Sequence, residues 1–110
     1  MVEGGRPLVW LHDEVSTPPF SSEARVEAGY LLRRLQQGDS LGLPHSPPLP
    51  AVGPRCHEFR VRDRGRNWRV IYRIDPDAIV IVELFAKESQ KTPRHVIAAC
   101  RRRLNDYDQV

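Results

Sequence analysis

Between Cys56 and Lys87 the chain holds three strand-like runs separated only by the short turns "RGR" and "DPD". "CHEFRVRD" (56–63) and "NWRVIYRID" (67–75) alternate polar with apolar residues, as half-buried strands do. "AIVIVELFAK" (78–87) is apolar on both faces for most of its length, as a central strand is. Turns this short lay each run antiparallel beside the one before it. The segment therefore has to be a three-stranded meander, and the rest of the chain must cover it.

Two helical patterns are available to do so. Residues 22–37 place Ala24, Ala28, Leu31, Leu32 and Leu35 on one stripe, with Ser21 as N-cap and Gly38 as a left-handed terminator. Residues 92–108 open with Thr92 as expected N-cap and Pro93 at the first helical position, and carry Val96, Cys100, Leu104 and Tyr107 on one stripe. "PLVWLH" (7–12) reads as a short strand ahead of a Pro-containing loop. Residues 41–54 hold five prolines, which fits an extended crossing and excludes a helix or a central strand. The expected order is β-α-β-β-β-α, an α+β fold in a single domain spanning residues 1–110.

Alternation also sorts the arginines of the hairpin. Phe59 and Val61 point one way and Arg60 and Arg62 the other; Trp68, Val70, Tyr72 and Ile74 oppose Arg69, Ile71 and Arg73. Pairing the apolar faces gathers Arg60, Arg62, Arg69 and Arg73. Lys87 joins them if its strand keeps Glu83 and Phe85 on that side, although Ile79 and Ile81 share the same parity. Glu83 would then serve as a counter-ion to one of the arginines. Such a face is either the solvated side of a sheet or the resting place of a polyanion. On a solvated face, truncating Arg73 would leave the protein folded.

Charge distribution bears on that choice. The net charge is +3, yet residues 1–54 balance to −2 and residues 74–110 to zero, so the block 55–73 supplies the surplus. Clustering of this kind is the footprint of a nucleic-acid binder. Cys56 and Cys100 are expected as reduced thiols in a cytoplasmic protein, with no signal peptide and no membrane-spanning run. Cys56-His57 lacks a second ligand pair, and His12, His45 and His95 show no metal-ligand spacing. No phosphate loop or dinucleotide fingerprint is present, so neither a metal nor a cofactor is expected.

The fragments "PLVWLHDEVSTPPFSSEAR", "LLRRLQQGDSLGLPHSPPLP", "GPRCHEFRV", "WRVIYRID" and "FAKESQKTP" occur in an order and spacing that resembles the phage-derived, HigB-like branch of the RelE/ParE toxin superfamily. That resemblance implies a RelE-like small twisted antiparallel sheet, with an N-terminal helical segment packed on it and a C-terminal helix. It further implies the toxin of a type II toxin–antitoxin system, a ribosome-dependent mRNA endoribonuclease that needs no metal. A helix-turn-helix antitoxin would be its partner, with operator DNA reached only through that antitoxin. The alternative it carries is a non-enzymatic inhibitor of DNA gyrase, or a degenerate toxin kept for operon repression.

By position, the resemblance assigns the catalytic charges to Arg60, Arg69, Arg73 and Lys87. Metal-free cleavage uses the RNA's own 2′-hydroxyl, so fixed cations must stabilise the phosphorane and a further group must move the proton. Tyr72 and His57 are candidates for stacking or proton transfer, although alternation sets both on the face opposite Arg69. Arg62, Arg64, Arg66 and Lys91 are candidate RNA contacts. Glu88 departs from the family pattern, which often has a second base there.

Overall fold

The computed structural model describes residues 5–11, 21–39, 46–86 and 91–109. Its elements run β1 (Leu8–Trp10), α1 (Ser22–Gln36), β2 (Cys56–Asp63), β3 (Arg66–Ile74), β4 (Ile79–Ala86) and α2 (Arg94–Asp108). The α+β order matches the sequence reading. The sheet order is β1-β4-β3-β2, with β2–β3 and β3–β4 antiparallel. β1 adds to β4 in parallel, so the sheet is mixed where the sequence led us to expect antiparallel pairing throughout.

Local chemistry explains the boundaries. Arg64 and Gly65 both take positive φ, 51° and 84°, the backbone of a two-residue hairpin turn matched to strand twist. The Ser21 hydroxyl accepts from the Ala24 N–H and starts α1. Gly38 ends it at φ 94°, donating to the Leu35 carbonyl while Asp39 donates to that of Arg34. Gly5, at φ 61°, lies so close to the Gln36 carbonyl that a Cβ has no room there. The chain can turn into β1 at that point only with glycine.

Each face of the sheet carries its own core. Phe59, Val61, Val70, Tyr72, Ile79 and Ile81 meet Ala24, Ala28, Leu32 and Leu35 of α1. On the other face Cys56, Ile71, Val80 and Val82 meet Val96, Cys100 and Leu104 of α2. Both thiols are free and buried, and burial pushes Cys100 up to about 12.

Residues 46–50 of the proline-rich crossing run along the outer edge of β2. The Leu49 N–H donates to the Cys56 carbonyl at 2.8 Å, and the Glu58 N–H donates to that of Pro47 at 3.1 Å. Pro48 and His57 form the bridge between these two bonds.

A β-bulge resolves the parity problem of the third meander strand. Tyr72 pairs with Ile81 and Ile71 with Glu83, which leaves Val82 as an extra residue. Ahead of the bulge, Ile79 and Ile81 face α1; beyond it, Glu83 and Phe85 share the face of the hairpin arginines. Simple alternation put all four on one side because a valine at 82 satisfies either reading.

Candidate functional site

The β2–β3 register sets Arg60 directly opposite Arg69 and Cys56 opposite Arg73, so the four hairpin arginines do lie on one face, the α2 face. Their exposures separate them. Arg60 and Arg62 are exposed, as are Arg64 and Arg66 in the turn region, whereas Arg69 is 8% and Arg73 7% exposed. The solvated row expected from alternation is therefore split into a wet half and a buried half.

Arg73 is committed to internal ion pairs. Its Nε and Nη2 donate to the two carboxylate oxygens of Asp75 at 2.8 and 2.9 Å. Nη1 and Nη2 donate to the carboxylate of Asp108, on the last turn of α2, at 2.9 and 2.7 Å. The Tyr107 ring lies 6.0 Å away. These bonds hold the guanidinium pKa above its ordinary value, Asp108 contributing most. Asp108 sits at the negative end of the helix dipole, an unfavourable place that Arg73 compensates. Arg73 thus lies in a different setting from the exposed one expected: it ties the end of α2 to the sheet through Asp108, and its truncation should cost stability.

Arg69 has the opposite character. Its Nε is buried without a hydrogen bond, and its nearest carboxylate is Glu58 Oε1 at 3.4 Å. Glu58 is itself 3% exposed and accepts a hydrogen bond from the Thr92 hydroxyl at 3.0 Å. Burial lowers the Arg69 pKa most, the facing Arg60 lowers it further, and Glu58 opposes them. Two guanidiniums directly opposite on one sheet face repel. Arg69 thus combines a buried donor that makes no hydrogen bond with a like charge across the strand pair, and Glu58 is the counter-ion it has.

Tyr72 and His57 face the other way, as alternation indicated. Tyr72 is fully buried with its hydroxyl on Ser46 Oγ, and burial raises its pKa. His57 stacks on its ring at 5.5 Å. Both lie on the α1 side, the face opposite Arg69, where Tyr72 is part of the core. Lys91 is exposed just ahead of α2; Lys87 and Glu88 lie outside the described residues.

A family model described as phage derived protein Gp49-like matches residues 19–105. The chain belongs to the Gp49-like family. No curated protein and no solved structure matches it. The matched span of this Gp49-like chain includes Glu58, Arg60, Arg69, Arg73 and Thr92, and excludes β1 and Asp108.

Two carboxylates that meet these arginines escaped the sequence reading. Glu58 shares strand parity with Arg60 and Arg62, so alternation held the signal. Asp108 lies 35 residues from Arg73, and no periodicity links them. Glu83 does find an arginine, but it is Arg103 of α2, at 2.9 Å. Thr92 spends its hydroxyl on Glu58, which leaves Pro93 as N-cap with no side-chain cap.

The clamp has a pH signature. Hydrogen bonds from Arg73 depress the Asp108 pKa, and those from Ser21 depress that of Asp63. Groups with depressed folded pKa values stabilise the fold above the ordinary carboxylate value of about 4 and cease to as pH falls through the folded value. Urea midpoints should therefore hold between pH 7 and 5, then fall below about pH 4. Asp108→Asn should flatten part of that drop; an unchanged acid limb would disprove the clamp's contribution.

Proposed function

We propose that this Gp49-like chain is the toxin of a type II toxin–antitoxin pair, acting as a ribosome-dependent mRNA endoribonuclease. The observation that carries the reading is the Arg60–Arg69 pair, two opposed guanidiniums with one buried donor unsatisfied. The arginine-rich turn and the fragment order that resembles RelE and HigB support it as well.

In this reading a scissile phosphate lies against Arg69 with Arg60 at its outer side. The RNA 2′-hydroxyl attacks phosphorus, the 5′-oxygen leaves with a proton, and a 2′,3′-cyclic phosphate remains. Arg69 carries the charge that builds on the non-bridging oxygens, where guanidinium forks fit. Glu58, anchored by Thr92, orients Arg69 and is the carboxylate closest to the pair. Lys87 remains a proposed cation at this site. Arg62, Arg64, Arg66 and Lys91 are proposed contacts to ribosomal or messenger RNA. The antitoxin, a helix-turn-helix protein, would cover this face with acidic and apolar residues.

A second reading has its own support. With Arg73 and Tyr72 taken up by structure, fewer groups remain for chemistry than the family resemblance assigns, which favours a binder that inhibits gyrase or only represses its operon. Induced expression with mapping of mRNA 5′ ends separates the two. Cuts confined to translated RNA are expected. Growth arrest with intact mRNA and a DNA-damage response would replace the nuclease by the gyrase inhibitor.

A further inference from the structure

The charges of α2 run against its dipole at both ends. Arg94 opens the helix at the positive end with no acid in the first turn, and Asp106 and Asp108 close it with no base in the last. Asp108 is compensated by Arg73, and Arg103 pairs with Glu83. Arg94 has no such compensation: neither it nor Arg101 or Arg102 meets a carboxylate among the described residues. Conflicts of this kind between a residue and its own element are expected at functional sites.

All three arginines share the face turned away from the sheet. Arg94 and Arg101, seven residues apart, point within about 20° of each other and lie about 10 Å apart along the helix axis. Arg102 and His95 flank them, and all four are exposed, as are Ala98 and Asn105. The buried stripe of Val96, Cys100 and Leu104 lies on the opposite side. Asp106, one turn beyond Arg102, is the acid on this face. At its borders Arg55 is held by Asp75, and the exposed Lys91 lies just ahead of the helix.

This surface continues the arginine face of the sheet. α2 packs on the side that carries Arg60 and Arg69, and its start is tied to them. Thr92 donates to one Glu58 oxygen, and the other lies 3.4 Å from Arg69 Nε. No aromatic side chain is exposed along α2, whose Tyr107 is half-buried beside Arg73. Proteins that hold single strands stack the bases on aromatic rings. Guanidiniums without rings fit phosphates alone, which is what a double helix presents.

We propose that the outer face of α2 binds double-helical RNA, with Arg94, Arg101 and Arg102 on its phosphates, while the strand to be cut lies against Arg60 and Arg69. The proposal rests on the ribosome-directed reading above, since ribosomal RNA supplies the double helices beside a message in translation.

Fluorescence anisotropy of a labelled RNA hairpin, titrated with the full chain at several salt concentrations, tests it. Arg94→Gln, Arg101→Gln and Arg102→Gln should each weaken binding several-fold, whatever the stem sequence. Each should also lower the slope of log affinity against log salt by about one. Arg94→Gln should do so without lowering the melting temperature, because that base opposes the helix dipole. Arg25→Gln, exposed on α1 across the sheet, should leave the slope unchanged. A chain that does not bind the hairpin, or a triple variant that binds it like wild type, overturns the proposal. Polyglutamate that competes as well as the hairpin at equal charge would assign the face to an acidic protein instead. A DNA duplex that binds more tightly than the RNA would equally overturn the assignment. The nuclease reading stands or falls separately, on the mapped mRNA ends. A chain that cuts no mRNA, yet whose hairpin binding answers to these substitutions, loses the nuclease and keeps this contact.

Discussion

Arg73→Ala should destabilise the protein by about 3–5 kcal/mol, the cost of removing one partner from a buried ion pair. Arg73 is 7% exposed and makes four hydrogen bonds to two carboxylates. Without it, the Asp75 carboxylate stays buried against Arg55 alone, whose Nη2 is 3.3 Å away. The end of α2 also loses its tie to the sheet. A domain of this size has a total stability of about 5–15 kcal/mol, so the variant should be largely melted by modest denaturant. Asp108→Ala is the control: its side chain is half-exposed, and removing it should cost about 1 kcal/mol or less. Urea titration of both variants gives the comparison. If Arg73→Ala unfolds at the wild-type midpoint, Arg73 is a surface cation after all.

Arg69→Lys should have the largest effect on activity, lowering cleavage of mRNA on programmed ribosomes roughly a hundredfold. Lysine keeps the charge but loses the planar fork that two phosphate oxygens require. Lysine keeps a positive charge facing the buried Glu58 carboxylate, and the Arg69 Nε makes no hydrogen bond that the exchange would remove. Circular dichroism and the urea midpoint should therefore stay near wild type. Arg64→Ala, in the exposed turn, should change little beyond binding at high salt. Wild-type cleavage by a folded Arg69→Lys variant would remove the phosphate from this site and with it the nuclease mechanism.

Which face each hairpin arginine takes was legible from alternation alone, because strand parity is strict between bulges. Their environments were not. Arg69 and Arg73 look alike in the sequence, four residues apart on one strand, yet only Arg73 meets Asp108, and that meeting depends on how α2 lands. The bulge was equally hidden, since a valine at 82 fits both faces. Both helices were legible because their stripes and caps are local. The start of α2 shifted by one residue because Thr92 answers to Glu58, 34 positions away. Glu58 itself could have been placed beside the arginines by the same parity that grouped them.

The proline-rich crossing has a consequence for how this sheet ends. β2 is an outer strand, and an outer strand offers bare backbone to any other chain that can pair with it. Over Cys56–Glu58 that backbone is already taken by Pro47–Leu49. The covering segment includes Pro47, Pro48 and Pro50, which have no N–H to donate. A strand arriving there would find acceptors but almost no donors, and sheet growth stops. Here the prolines act as a full stop against edge-to-edge aggregation, closing the sheet along the start of β2 without another helix.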